Sequence, residues 1–373
     1  MRILLATLWA LSGFAIVYIV FLYPLALAWL ARRRGRPVRK EWLGQTVSIV
    51  VAARNGERYI RAKIETLLAL DYPKELVDIT IVSDGSTDRT DEIVGEYAAA
   101  GVKLLRAPGG GKAAALNRAL PTLTGELVFF TDVRQPLAPD SLRRIAACFA
   151  SPEVGAVSGL LRILSGATQS EADVGMYWRY EAWIRDNLSR LDSIFGATGA
   201  IYAMRRELVT PLPEDILLDD MYQPLNAFFR GYRLTVETGA LAYDYPTTAD
   251  VEFGRKVRTL AGNYQLLRYY PQLLGPANRM WAHYVSYKFA RLLLPFLMLG
   301  LLAGSFGLPT PFAWIVLGLQ GAFYLLAAVD GLVPEGASLK RLSSAARTIV
   351  LILTAALLAL RIFWVAPREL WRK

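Results

Sequence analysis

Apolar and polar positions divide the chain into three regimes. From Ile3 to Leu30 there are 28 consecutive positions without a charge, more than the roughly 20 residues a helix needs to cross a bilayer. A secretory signal has a shorter apolar core and a small-residue cleavage site. Here Trp29, Leu30 and Ala31 run straight into arginines, the pattern of an uncleaved anchor. A second uncharged run covers 38 positions, Leu292 to Val329. Its centre, "GSFGLPTP", predicts a tight loop between two helices, because Gly and Pro punctuate turns. A third apolar stretch, Ser343 to Ala366, carries Arg347 and Arg361 and fits either a span or a helix lying at the interface.

Between Trp42 and Arg291 the pattern changes. "VSIVVA", starting at Val47, is a β-branched run of the kind buried on both faces of a sheet. "RYIRAKIETLLAL" follows with helical spacing at Ile60, Ile64, Leu67 and Leu68. "DITIVS" is the next strand, and "DRTDEIVGEYAAAG" a helix ending at Gly101. "VKLLR" is a third strand, "GKAAALNRAL" a helix and "ELVFFTD" a fourth strand. Strands alternating with helices imply a parallel sheet with right-handed crossovers. In such sheets ligands bind beyond the carboxyl ends of the strands.

Composition sharpens this division. The 373 residues are 54% hydrophobic and 20% charged, too apolar for a purely soluble protein. The net charge is +10, but its distribution argues against nucleic acid as the partner. "RRRGRPVRK", Arg32 to Lys40, follows the first span directly and reads as a positive-inside signal. That places the N-terminus outside, the middle block in the cytoplasm and the chain as a multi-pass protein of the cell membrane. Cys148 is the sole cysteine, so no internal disulfide forms.

The strand ends hold the candidate chemistry. After the first come Arg54, Asn55 and Glu57; after the second, Asp84, Gly85 and Asp88; after the third, Lys112 behind three glycines; after the fourth, Asp132. Acids at several ends, a lysine behind glycines and small residues suit a nucleotide with a diphosphate. Neither GxGxxG nor GxxxxGK[ST] occurs, so dinucleotide and P-loop binding are unsupported. Each position also has a structural reading. Asp88 suits a helix N-cap, Asp84 a turn start, and Glu57 the surface. Lys112 stands at a helix start, where a cation is electrostatically disfavoured unless an anion is near.

"VSIVVAARNGERYI", "TIVSDGSTDRTDEIV", "GKAAALNRAL" and "FFTDVRQPLAPDSL" together resemble the inverting family-2 glycosyltransferases of the glycosyltransferase-A fold. The resemblance implies an α/β, Rossmann-like mixed sheet plus transmembrane helices. It implies that Ala53, Arg54, Glu57 and Asp84 contact the nucleoside, UDP being favoured, and that Lys112 sits near base or phosphate. Asp132 is then the first acid of an Asp-x-Asp motif that holds Mg²⁺ or Mn²⁺ against the diphosphate. Where the second acid belongs stands Arg134. A hard cation can use one carboxylate with substrate phosphates and water. Alternatively Arg134 itself approaches the diphosphate, or is a surface residue beside a lone metal ligand.

The second half completes the picture. "FGATGAIYAMRREL" carries small residues around Gly196, Thr198 and Gly199, and the corresponding family segment lines the acceptor site. In "ILLDDMYQPLNAFFRGYRL" the apolar spacing predicts a helix ended by Gly231, with Pro224 in its first turn and Asp219 and Asp220 at its start. Those acids suit an N-cap; by resemblance Asp220 is the catalytic base and Asp219 its neighbour. Arg255 and Arg258, three apart, resemble the family's Gln/Arg-x-x-Arg-Trp motif, which implies that they meet the diphosphate, but Thr259 replaces the Trp. His283, beside Trp281 and Tyr284, reads as interfacial.

These readings divide the chain into a span (1–31), a basic linker (32–46), a catalytic domain (47–265), an interfacial segment (266–291), two or three spans (292–366) and a tail (367–373). They imply a membrane-bound transferase moving a sugar from a nucleotide sugar to a lipid-linked or polysaccharide acceptor, alone, as a homo-oligomer or with a secretion partner. The alternatives are a processive polysaccharide synthase and a catalytically silent glycan-binding scaffold.

Overall fold

The computed structural model describes residues 1–164, 169–245 and 249–371. They form two compact units. One comprises Ala31–Leu164 and Trp178–Tyr245; the other comprises Met1–Leu30, Ser165–Tyr177 and Pro246–Lys373.

The first unit is built on seven strands: β1 (Val47–Ala53), β2 (Val77–Asp84), β3 (Val102–Ala107), β4 (Leu127–Phe130), β5 (Val154–Ile163), β6 (Tyr202–Arg205) and β7 (Arg233–Asp244). They make one sheet in the order β3-β2-β1-β4-β6-β5-β7. β1, β2, β3 and β4 are parallel, as the strand–helix alternation requires. β6 enters antiparallel between β4 and β5, and β7 closes the far edge parallel to β5, so the sheet is mixed. Strand alternation sorts the faces. Val47, Ile49 and Val51 of β1 point into one buried cluster with Ile60, Ile64, Leu67, Leu142 and Ile145. On β6, Ala203 shares that cluster, so Tyr202 and Met204 face the opposite side.

The helices fall close to the expected places, at Glu57–Leu68, Lys112–Ala119 and Asp219–Phe229. The single helix expected up to Gly101 is instead a short helix, Thr90–Gly95, followed by a separate turn at Ala98–Ala100. Gly95 ends the first piece, since glycine weakens a helix interior. The basic segment packs on this unit: the Glu41 N–H donates to the Ala147 carbonyl at 2.9 Å and the Arg39 N–H to Ser151 Oγ at 3.0 Å.

The family resemblance closes the expected catalytic domain at residue 265, whereas the compact unit ends at Tyr245. The physical reason is that the helix Ala249–Tyr269 runs unbroken across 265 and packs with Lys340–Ala359 in the other unit.

Among the described residues three helices are long and apolar enough to cross a membrane: Arg2–Arg34, most of which lies in that other unit, and Trp281–Ser305 and Lys340–Phe363, which lie wholly within it. A shorter apolar helix, Phe312–Ala328, lies between the last two. The first helix packs along Ala290–Ser305. Gly300 and Gly304 make that contact close: a Cβ on Gly300 would stand 2.6 Å from Ser12 Oγ, and one on Gly304 2.5 Å from the Trp9 nitrogen. Small residues four apart are what allow helix backbones to approach in this way. His283 is held in this unit, its Nδ1 3.2 Å from the Tyr23 hydroxyl.

Candidate active site

The carboxyl ends of β1, β2 and β3 are laced together by side chains. Asn55, with φ +49°, accepts the Thr87 N–H on Oδ1 at 2.8 Å. Asp88 is not itself the N-cap, which is Arg89, but its carboxylate accepts the Glu57 N–H at 2.9 Å and the Thr90 N–H at 3.0 Å, the first N–H of each of two helices. Ala53 is buried, while Arg54 and Glu57 are exposed on the loop above it. Gly85 (φ +62°) meets the next loop backbone to backbone, since a Cβ there would lie 3.1 Å from the Gly109 Cα. Only glycine suits both the sign of φ and that approach.

Asp84 is almost fully buried. Its two carboxylate oxygens accept the N–H groups of Gly110 and Gly111 at 2.8 and 2.9 Å. Charge-assisted bonds of this kind are among the stronger ones available to a backbone. They fix the glycine loop immediately before Lys112, the first residue of its helix.

From there the Lys112 ammonium reaches across the sheet end. Nζ lies 2.9 Å from Asp132 Oδ1 and 2.9 Å from Asp219 Oδ2. Burial acts to lower the Lys112 pKa, but Asp132, then Asp219 and Asp220, outweigh it and hold the ammonium firmly charged. Lys112 therefore stands at a helix N-terminus because three carboxylates surround it.

Asp220 is anchored twice. Its Oδ2 accepts the Gly199 N–H at 2.9 Å, and its backbone carbonyl accepts the Ala197 N–H at 2.7 Å. The second bond has a sequence cause. Pro224 lies inside the helix Asp219–Phe229 and not in its first turn as expected from the sequence. A residue at 224 with an N–H would bond the carbonyl of 220; proline has none and its ring crowds that carbonyl. The Asp220 carbonyl is thereby turned over to the loop. The Asp220 carboxyl is pushed up to about 6, by burial first and by Asp219 next, with Lys112 and the Gly199 N–H acting against the rise. It is a carboxylate near neutral pH with raised basicity, the character a general base needs.

Gly199 closes the cluster. A Cβ there would lie 3.3 Å from Asp220 Oδ2, 3.4 Å from Asp132 Oδ2 and 3.5 Å from Lys112 Nζ. The loop is gripped from behind by Arg185, which donates to Thr198 Oγ1 at 2.5 Å, Ser158 Oγ at 2.8 Å and the Gly196 carbonyl at 3.2 Å. The Thr198 N–H donates to Ser158 Oγ at 3.0 Å.

The structure thus gathers Lys112, Asp132, Gly199, Asp219 and Asp220 around one point, with Asp84 one link behind. Arg134 is engaged elsewhere: its guanidinium pairs with buried Asp244, which also accepts from Gln135 at 2.9 Å. Arg255 and Arg258 lie in the other unit, where Arg255 stands 3.8 Å from Glu252. Three residues of this region escape sequence reading. Tyr202, fully buried, is stacked at 4.8 Å on Phe130 and feels Asp219, Asp220 and Asp132. Arg185 gives no periodic signal. Lys63 does: it falls on the stripe 60, 63, 64, 67, where the pattern calls for an apolar residue.

The donor set for a divalent ion is small. Among the described residues no group of three or more His, Cys, Asp or Glu is gathered as a metal site. Asp132 offers one carboxylate, which suits an ion that takes its remaining oxygens from phosphates and water.

Residues 48–211 match the family described as Glycosyl transferase family 2. The chain is 29% identical over 265 residues, 66% of its length, to the beta-monoglucosyldiacylglycerol synthase of Nostoc sp., of which this covers 55%. It is 25% identical over 305 residues to the protein of that description from Synechocystis sp., covering 74% of this chain and 62% of that one. The chain therefore spans little more than half the length of these curated relatives. Among solved structures, the mannosyltransferase PcManGT from Pyrobaculum calidifontis, in complex with GDP-Man and Mn²⁺, superimposes with a TM-score of 0.74 at 21% identity. That likeness covers 96% of this chain and 99% of the other and establishes a common fold.

Proposed function

From the match of residues 48–211 to the Glycosyl transferase family 2 model, we propose that the chain is an inverting, nucleotide-sugar-dependent transferase acting on a membrane-held acceptor. The observation that supports this best is the anchored Asp220 carboxylate, raised to about 6 and facing the cluster of Lys112, Asp132 and Gly199.

In this reading the nucleoside of a UDP-sugar or related donor lies over Ala53, Glu57 and the Asp84 loop. Its diphosphate lies at Lys112, whose ammonium absorbs charge as the nucleoside diphosphate leaves. The acceptor hydroxyl enters over Gly196–Gly199. Asp220 takes the hydroxyl proton while the oxygen attacks the anomeric carbon from the face opposite the leaving group. One displacement inverts that carbon. Asp219 keeps Lys112 in place between the two acids. A bound Mg²⁺ or Mn²⁺, held by Asp132 together with the diphosphate, would add Lewis-acid neutralisation of the leaving group.

A lipid-linked acceptor is supported by the beta-monoglucosyldiacylglycerol synthases among the relatives and by the three helices able to cross a membrane. The test is Asp220→Asn. General-base help is worth roughly a hundred- to ten-thousandfold, so kcat should fall by that factor while calorimetric affinity for the nucleotide sugar stays within about threefold of the parent. An unchanged kcat removes Asp220 from the mechanism.

A further inference from the structure

Lys63 is a charged residue in the core. It is 2% exposed, and its burial pushes the ammonium pKa down to about 7, Asp132 acting against the fall. An isolated ammonium in an apolar interior is costly, and an apolar side chain of equal length would fill the same stripe without that cost. The partners show what the amine does there. Nζ donates to Thr131 Oγ1 at 2.6 Å and to the Gln135 carbonyl at 2.7 Å. Thr131 Oγ1 in turn donates to the Ala200 carbonyl at 2.6 Å. Among the described residues no carboxylate pairs with the amine directly.

These three bonds join elements that the sheet itself leaves loose. β4 is four residues long, and its ladders with β1 and β6 both end at Phe130. Beyond Thr131, whose N–H reaches the Val50 carbonyl at 3.3 Å, the segment carrying Asp132 has left the sheet. Lys63 holds that segment at both ends, Thr131 and Gln135. Through Thr131 it also holds Ala200, next to Gly199, whose N–H bonds Asp220.

Resting on the proposed transferase reading, we propose that Lys63 is a positioning residue: through Thr131 it sets the separation between the Asp132 segment and the Gly199–Asp220 contact. It touches neither donor nor acceptor. Its removal loosens the two segments against each other, so the reacting groups lose alignment while nucleoside contacts on the β1–β3 loops persist.

The experiment compares the full-length parent with Lys63→Met and, separately, Thr131→Val, which keeps the lysine and its bond to the Gln135 carbonyl but removes both bonds of the hydroxyl, from Lys63 and to Ala200. Amide hydrogen exchange of peptides covering 131–135 and 196–201 should accelerate tenfold or more in both variants, with peptides from β1 and β2 unchanged. This readout needs no substrate. In transfer assays, kcat per nucleotide-binding site should fall at least tenfold with donor KM within threefold. The double variant should lose little more than Lys63→Met alone. Equal protection of both segments in Lys63→Met and parent, or losses that multiply independently in the double variant, overturns the proposal. If Lys63→Met does not fold, Thr131→Val decides on the same exchange criterion. A parent without transfer activity defeats the functional reading alone and leaves the exchange result to decide on Lys63.

Discussion

At the scale of single residues, Asp220 makes the most direct predictions. Its native carboxyl titrates at about 6, and a base must be ionised, so kcat should fall as pH drops through that value. The stability effect has the opposite sense. A carboxyl raised above its ordinary value is favoured in its protonated form by the native state. Stability from it is therefore present below about pH 4 and lost as pH rises to about 6. Asp220→Asn should then be more stable than the parent at pH 7.5, by an amount on the order of 1–3 kcal/mol read as a higher melting temperature, and show no such gain at pH 4. A lower melting temperature at pH 7.5 would contradict the burial argument. Gly199→Ala makes a complementary test. Its new methyl would crowd two carboxylates and an ammonium at 3.3 to 3.5 Å, so transfer should drop at least severalfold while thermal melting changes little. Asp84, Lys112 and Asp132 were legible from their places after strand ends, Asp219 and Asp220 from the start of a helix, and Gly199 from a run of small residues. Arg134 was not placed by that logic, because the partner that holds it, Asp244, is 110 positions away. Lys63 was hidden for the opposite reason: it keeps the helical spacing of an apolar stripe, and spacing alone does not distinguish a buried ammonium from a solvated one.

At the scale of elements, a missing N–H shapes the site. Pro224 leaves the Asp220 carbonyl to the Ala197 N–H. Pro224→Ala should restore helical bonding to that carbonyl and loosen the loop, lowering kcat severalfold without loss of melting temperature. Unchanged kcat would mean the loop does not depend on that bond. In the apolar unit, Gly304→Val would force a side chain into the Trp9 backbone and should destabilise the pair of helices, read as increased proteolysis or a lower melting temperature in detergent. The parallel half of the sheet was readable because its strands are β-branched runs between helices. The antiparallel β6 was not, since four residues carry no direction and only pairing with β4 and β5 assigns it. The close packing of the first helix on Ala290–Ser305 was likewise invisible to hydropathy, which measures length and not contact.

At the scale of the whole molecule, the chain joins the fold it shares with PcManGT to helices long and apolar enough to cross a membrane. The domain limit set at 265 by the family resemblance fell inside the continuous helix Ala249–Tyr269, because motif spacing carries no record of packing, which changes at Tyr245. The central claim is that one cluster, Lys112, Asp132, Gly199, Asp219 and Asp220, receives the donor and activates the acceptor. The most direct measurement is an experimental structure of the full-length protein with a bound nucleotide sugar. The account predicts a diphosphate oxygen within hydrogen-bonding reach of Lys112 Nζ, and the Asp220 carboxylate on the face of the anomeric carbon away from the diphosphate. A donor bound elsewhere, or one that presents its leaving group to Asp220, would contradict it.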